Sequence, residues 1–187
     1  MHSLQYYYQG LELSPEVQDF FSQHQEIRIT KNTSLIRQGE GSRYYWIVIE
    51  GLVRSFVYSS EGEEITTGFF DPPNICLEFS SFFLHSSAVE NLVSVSELSV
   101  FQVSKAIFFK YFEQCPSLQQ WGRTWMVNFL INRQSYFLSN HTDDAKNRYQ
   151  KWIESNPHIM KYAPLKTIAS YLGITDSTLS RIRRELL

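Results

Sequence analysis

The stretch that decides the reading of this chain is PLKTIASYLGITDSTLSRIRREL, Pro164 to Leu186. Its apolar residues Leu165, Ile168, Ala169 and Leu172 fall on one face of a helix at 3.6-residue spacing. Gly173 follows, and glycine takes a positive φ without steric penalty, so it closes a tight turn. Thr175 carries the hydroxyl an N-cap needs, and Asp176 places negative charge in the first turn, where the helix dipole favours it. Leu179, Ile182 and Leu186 then mark the buried face of a second helix. Ser177, Ser180, Arg181 and Arg184 point the other way, a polar and basic stripe suited to a DNA major groove. The pattern reads as a helix-turn-helix with its recognition helix last. It also fits a solvated helical hairpin, because basic residues near a helix C-terminus complement the dipole whether or not DNA is present.

Charge distribution favours the first reading. From His141 to Leu187 there are eight Lys or Arg against five Asp or Glu, a net of +3. The remaining residues carry nine against fourteen, a net of −5. A sensing module joined to a nucleic-acid module has this asymmetry.

At 187 residues the chain suits one domain plus a small appendage. A hydrophobic content of 43%, with 16% aromatic, is ample for a packed core and argues against disorder. Cys76 and Cys115 are the two cysteines and form no CxxC, which fits a reducing compartment rather than a disulfide scaffold. MHSLQYYYQG has neither the basic start nor the apolar centre of a signal peptide, and no run of 18 apolar residues occurs. A soluble, cytoplasmic protein with no membrane partner is expected.

Residues Leu13 to Gln23 read as a short helix, with Ser14 as cap, Pro15 first, and Val17, Phe20 and Phe21 on its apolar side. From Glu26 to Val103 the signal is of strands: RYYWIVIEG, LVRSFVYSS, EITTGFF and VENLVSVS are β-branched or aromatic runs between turn residues. Ser60 to Glu63 reads as a hairpin tip, Asp71 to Asn74 as a break, and RQGEGS, with Gly39 and Gly41, as a β-turn. Short strands at this spacing imply a sandwich or barrel. Pro116 to Asn140 is helical, with Leu118, Trp121, Trp125, Phe129, Asn132 and Tyr136 on one seam. Such a seam suits either the cover of the β domain or a dimer interface. Because only Arg123 and Arg133 are charged here, both are expected at once, one side on the β domain and the other in a dimer. Leu118, Trp121, Trp125 and Phe129 are the candidates for the interface. His141 to Asp144 reads as a hinge, Ala145 to Ser155 as a helix built on Tyr149, Trp152 and Ile153, and Asn156-Pro157 as its stop.

The order β-sandwich, long helix, hinge and small helical unit resembles the Crp–Fnr superfamily of bacterial transcription regulators. The resemblance covers nearly the whole chain. It rests on IASYLGITDSTLSRIRREL at Ile168 to Leu186, on NRYQKWIESNPHI at Asn147 to Ile159, and on the strand-turn IVIEGLVRSFV at Ile47 to Val57. It implies an α+β chain: an antiparallel, jelly-roll-like β-roll sensor domain over residues 1–115, a long dimerisation helix over 116–140, and a three-helix helix-turn-helix unit over 141–187. It implies a homodimer reading two half-sites about 34 Å apart on double-stranded DNA, with RNA polymerase a further partner. The family's base-contacting positions fall here on Asp176, Ser177, Ser180 and Arg181. Arg181 is the best donor to guanine O6 and N7, whereas Thr175 and Arg184 suit phosphate contacts.

Family members that bind cyclic nucleotides hold the ribose with a glutamate and the phosphate with an arginine-serine pair. Glu78 in CLEFSSF stands for the glutamate, though Leu77 precedes it where the family pattern has glycine. Where the arginine is expected the chain reads LHSSAVENL, and no Lys or Arg occurs from Ser55 to Ser104. A cyclic phosphate buried without a cation would be badly desolvated, and backbone amides at a helix N-terminus compensate only in part. Cyclic AMP is therefore not expected unless Arg54 or an arginine of the partner subunit swings in. An iron–sulfur cluster needs more cysteines, and His85 is the single histidine in the presumed pocket region. Glu78, Arg54 and His85 are the candidate effector-pocket residues, for an unidentified small effector or for a domain that has lost sensing. No HxH, HxxxH, HExxH or GxSxG occurs, so neither a metal site nor an enzyme is expected. The alternative function is a protein-interaction or ligand-binding module of the same fold that does not bind DNA.

Overall fold

Among the described residues, the β-branched and aromatic runs fold into eight strands: β1 (Gln25–Ile29), β2 (Ser34–Ile36), β3 (Tyr44–Glu50), β4 (Val53–Tyr58), β5 (Glu64–Phe70), β6 (Ile75–Cys76), β7 (Asn91–Ser94) and β8 (Leu98–Ser104). The computed structural model describes residues 4–186. Two four-stranded antiparallel sheets, ordered β1-β8-β3-β6 and β2-β7-β4-β5, face each other as a β-roll. Ile36, Val48, Val53, Leu92, Leu98 and Val100 fill one part of the space between them. Gly51 turns β3 into β4 at φ +94°, and a Cβ there would collide with the Glu97 carbonyl. Glycine is therefore required at that corner by both backbone and space.

Helix α1 (Pro15–Ser22) starts as its sequence indicates, with the Ser14 hydroxyl accepting the Val17 N–H at 3.3 Å. Two further helices lie where none was expected from the sequence, one inside the strand region and one just after it. Helix α2 (Phe79–Phe83) is capped by the Glu78 carboxylate, which accepts the Ser81 N–H at 2.7 Å. Helix α3 (Lys105–Gln114) is capped by Ser104 and buries Phe108 and Tyr111. A mainly aromatic core joins α1, α2, α3 and the first sheet, including Tyr8, Phe20, Tyr45, Phe82, Phe108 and Leu118.

The long helix α4 (Pro116–Thr142) runs 27 residues, about 40 Å. It extends through Thr142, two residues past the expected end, so the break is narrower than the His141 to Asp144 hinge. Asp143 closes α4, and Asp144 caps helix α5 (Ala145–Ser155) through the Asn147 N–H at 2.8 Å.

The C-terminal unit has four helices rather than three. Asn156-Pro157 ends α5 as expected, but Pro157 sits at the first position of a further helix, α6 (Pro157–Tyr162), where its missing N–H costs nothing. Helices α7 (Leu165–Tyr171) and α8 (Asp176–Leu186) follow. Their shared core comprises Tyr149, Trp152, Ile159, Ile168, Ala169, Leu172, Leu179 and Ile182, and it reaches Leu52 of the β-roll. Helix α7 covers the free edge of β5: Ser170 Oγ accepts the Thr66 N–H at 2.9 Å, and Tyr171 packs edge-on against Phe69 at 5.4 Å. An unpaired strand edge is thereby satisfied within the chain.

Candidate nucleic-acid interface and sensor pocket

Helices α7 and α8 are joined through a glycine turn. Gly173 sits at φ +65°, the left-handed conformation its turn requires. Thr175 Oγ1 accepts the Thr178 N–H at 3.2 Å and caps α8. Its hydroxyl also lies 2.9 Å from those of Ser177 and Thr178. Leu179 and Ile182 are buried, whereas Thr175, Asp176, Ser177, Ser180, Arg181 and Arg184 are all exposed. Leu165 and Leu186, expected on the buried faces, are instead 37% and 38% exposed. Each lies at the outer end of its helix, beyond the reach of the small core. The stripe bears two arginines, Arg181 and Arg184, and neither forms an ion pair among the described residues.

The seam of α4 is used inside the chain. Leu118 is fully buried in the aromatic core, Trp121 packs on Tyr8 at 4.7 Å, Trp125 stacks on Phe79 at 5.9 Å, and Phe129 lies 4.4 Å from Phe79. Further along, Tyr136 stacks on Tyr171 at 4.5 Å and donates to its carbonyl. Asn132, expected on this seam, is exposed. The other side of α4 exposes Val127, Leu130, Ile131, Phe137 and Leu138, between 52% and 70%. The scarcity of charge in the helix pointed to cover on more than one side, but the residues of this second face, spread among Asn, Gln and Ser, were not singled out.

The three candidate effector residues do not converge; among the described residues no hydrogen bond or ion pair joins any two of them. Glu78 is buried, one carboxylate oxygen capping α2 and the other 3.4 Å from the Val89 N–H. Arg54 is buried too; its Nη2 donates to Glu64 at 2.5 Å, its Nε has no hydrogen-bond partner among the described residues, and the guanidinium lies over the Phe56 ring at 4.5 Å. His85 lies outside the roll, exposed, its ring stacked at 6.2 Å on Phe109. The Phe-rich stretch from Phe69 to Phe83 packs against α3, α4 and the C-terminal unit. It leaves an apolar cavity of only about 20 Å³ among Tyr45, Ile75, Leu77, Phe82, Phe108 and Trp121, room for about one water molecule.

Two residues near Glu78 escaped the sequence reading. Glu90 belongs to the LHSSAVENL stretch, and burial raises its carboxyl above the usual carboxylate range; Thr67 and Arg133 oppose that rise and Glu78 adds to it. Arg133 reaches across from α4 to donate to the Thr67 carbonyl at 2.8 Å. Ser55 Oγ accepts from Thr67 Oγ1 at 2.8 Å, and a Cβ on Gly68 would lie 2.9 Å from that Ser55 oxygen. Thus the neighbourhood of Glu78 holds a second acid, with its cation supplied by α4. A lone helical Arg gives no signal of this in sequence. No group of three or more His, Cys, Asp or Glu among the described residues is placed to hold a metal ion.

A different buried network ties the N-terminal segment to the roll. His24 Nδ1 bonds the Phe20 carbonyl at 3.0 Å, so its Nε2 accepts from Tyr8 Oη at 2.7 Å, and Tyr8 lies 2.5 Å from Tyr45 Oη. Burial holds the imidazole down to about 4.

Residues 26–115 match the cyclic nucleotide-binding domain family. No curated protein matches the chain significantly in sequence. The fold is that of several solved regulators. FixK2 from Bradyrhizobium japonicum superposes with a TM-score of 0.74 at 20% identity, covering 87% of this chain and 84% of that one. A protein from Eubacterium rectale assigned to the crp/fnr family of transcriptional regulators gives 0.74 at 14%, covering 95% and 86%. The Thermus thermophilus catabolite activator protein gives 0.59 at 18%, covering 96% and 85%. The chain is thus an α+β protein, a cyclic nucleotide-binding-type β-roll followed by a long helix and a helical unit, with regulators of the Crp/Fnr type as its structural neighbours. No helix of the described residues is long and apolar enough to cross a membrane.

Proposed function

We propose that the chain is a sequence-specific, homodimeric DNA-binding transcription regulator. The observation that carries this reading is the Ser177–Ser180–Arg181–Arg184 stripe, exposed on a helix whose opposite side is locked by Leu179 and Ile182. Arg181 is the base reader and Arg184 a phosphate contact; Ser177 and Ser180 are weaker readers. Thr175 chiefly fixes the start of α8. The exposed face of α4, Val127 to Leu138, is the dimer surface, because the Trp121–Trp125–Phe129 seam is already covered by the chain's own β-roll. Residues 1–115 act as the sensor, 116–142 as the connector, and 143–187 as the DNA-binding unit.

The sensor does not take a cyclic phosphate at Glu78. The half-buried Glu90 sets a second carboxyl near Glu78, and Arg54 pairs with Glu64. Binding to a cognate site tests the function: Arg181→Ala weakens it by about 1–3 kcal/mol and relaxes preference at one base. Arg184→Ala weakens binding evenly across sequences. Affinity independent of salt between low and moderate concentrations contradicts the reading, since phosphate contacts release counterions.

A further inference from the structure

His85 has no place in the sensor pocket, and its surroundings indicate another role. It follows α2 with φ +54°, a left-handed conformation that non-glycine residues seldom adopt and that recurs at ligand-binding sites. Its ring lies over Phe109 at 30°. Beside it the chain is fastened at two points. The Lys105 N–H donates to the Arg43 carbonyl at 2.8 Å, joining the start of α3 to the start of β3, and Lys105 Nζ donates to the Ser81 carbonyl of α2 at 2.6 Å. These elements border a groove of about 580 Å³ that is open to solvent.

The groove has an aromatic side, Tyr44, His85 and Phe109, and two cations, Arg43 and Lys105, against one carboxylate, Glu113. Arg43 makes no side-chain hydrogen bond or ion pair among the described residues, and neither does the His85 ring. The end of α3 is not the binding element, because Ser104 Oγ already accepts the Ile107 N–H at 3.2 Å. What remains available is a guanidinium, an ammonium with spare protons and an exposed imidazole around flat apolar faces.

We propose that this groove, outside the Glu78 pocket, binds a small organic anion that carries a planar ring. Its carboxylate meets Arg43 and Lys105, and its ring stacks along His85 and Phe109. Ring stacking fixes orientation and the charge-assisted hydrogen bonds supply discrimination. The site stands independently of DNA binding.

Salicylate serves as the probe, with acetate as the ringless acid and benzyl alcohol as the uncharged ring. Binding to the full chain is followed by backbone-amide NMR shifts. The expected result is saturable salicylate shifts confined to the residues around Arg43, His85 and Lys105, with neither control saturating. Arg43→Ala should weaken salicylate binding about tenfold or more, the loss of one hydrogen bond to a charged partner. His85→Gly relieves the left-handed backbone, so it should keep the fold while losing ring affinity. No saturable shift, shifts at Glu78 instead, equal binding of either control, or unchanged affinity in both variants would each overturn the site.

Discussion

Leu130→Glu should separate the two faces of the long helix. Leu130 is 70% exposed, in the middle of a face that also presents Val127, Ile131, Phe137 and Leu138. Fully burying an aliphatic side chain is worth roughly 1.5–3 kcal/mol, so burying the exposed part of Leu130 contributes about 1–2 kcal/mol per copy. A two-fold dimer uses the residue twice, which gives about 2–4 kcal/mol lost on substitution. A desolvated carboxylate adds a further cost. Dimer dissociation should therefore rise by at least roughly 30-fold to a thousandfold. Sedimentation equilibrium of the wild type and variant measures this, with circular dichroism confirming that the fold is kept. The control is Trp125→Ala. Its ring stacks on Phe79 within the chain, so it should lower unfolding stability by about 2–4 kcal/mol and leave the association of folded chains unchanged. If Leu130→Glu dimerises like the wild type while Trp125→Ala dissociates, the assignment of faces is refuted.

Other parts of the fold give independent tests. Gly51→Ala should cost about 3 kcal/mol or more, because a left-handed backbone and the Glu97 carbonyl both reject a Cβ; equilibrium denaturation measures it, and a cost under about 1 kcal/mol contradicts the corner geometry. Ser170→Ala should cost about 1 kcal/mol and speed hydrogen exchange at Thr66, whose N–H loses its acceptor; unchanged exchange would mean that α7 does not cover that edge. His24 is held neutral in the fold, to about 4 against an ordinary value of 6.5, so the unfolded chain binds the extra proton. Stability should be unaffected by His24 above pH 6.5 and fall between about pH 6.5 and 4, by up to about 3 kcal/mol. His24→Gln should flatten the slope in that window; parallel stability curves for the two proteins would refute it.

Local signals in the sequence were read well where local chemistry decides structure. Ser14-Pro15, Gly173-Thr175 and the strand runs each carry their own cap, turn or alternation, and each folds accordingly. Where the outcome depends on distant partners, the sequence was less informative. Phe79 to Phe83 is as apolar as a strand, and only the Glu78 cap together with the Trp125 and Phe129 rings makes it a helix. Pro157 both stops α5 and starts α6, and sequence alone shows the stop. The α4 seam was correctly seen as apolar, but which of its faces is covered depends on where the β-roll docks. The exposed Ser177–Ser180–Arg181–Arg184 stripe was legible because helical geometry alone separates it from Leu179 and Ile182. The surroundings of Glu78 were not, since Glu90 and Arg133 come near each other only through the pairing of β7 with β4 and of β4 with β5, and the passage of α4 beside them.

The most direct test of the regulator assignment is capture of fragmented genomic DNA by the purified full chain, followed by sequencing, with Arg181→Ala alongside. The account predicts enrichment of a two-fold-symmetric motif with half-sites about one helical turn apart, and loss of that motif in the variant. Enrichment identical in wild type and variant, or none for a protein shown to be folded and dimeric, would contradict it.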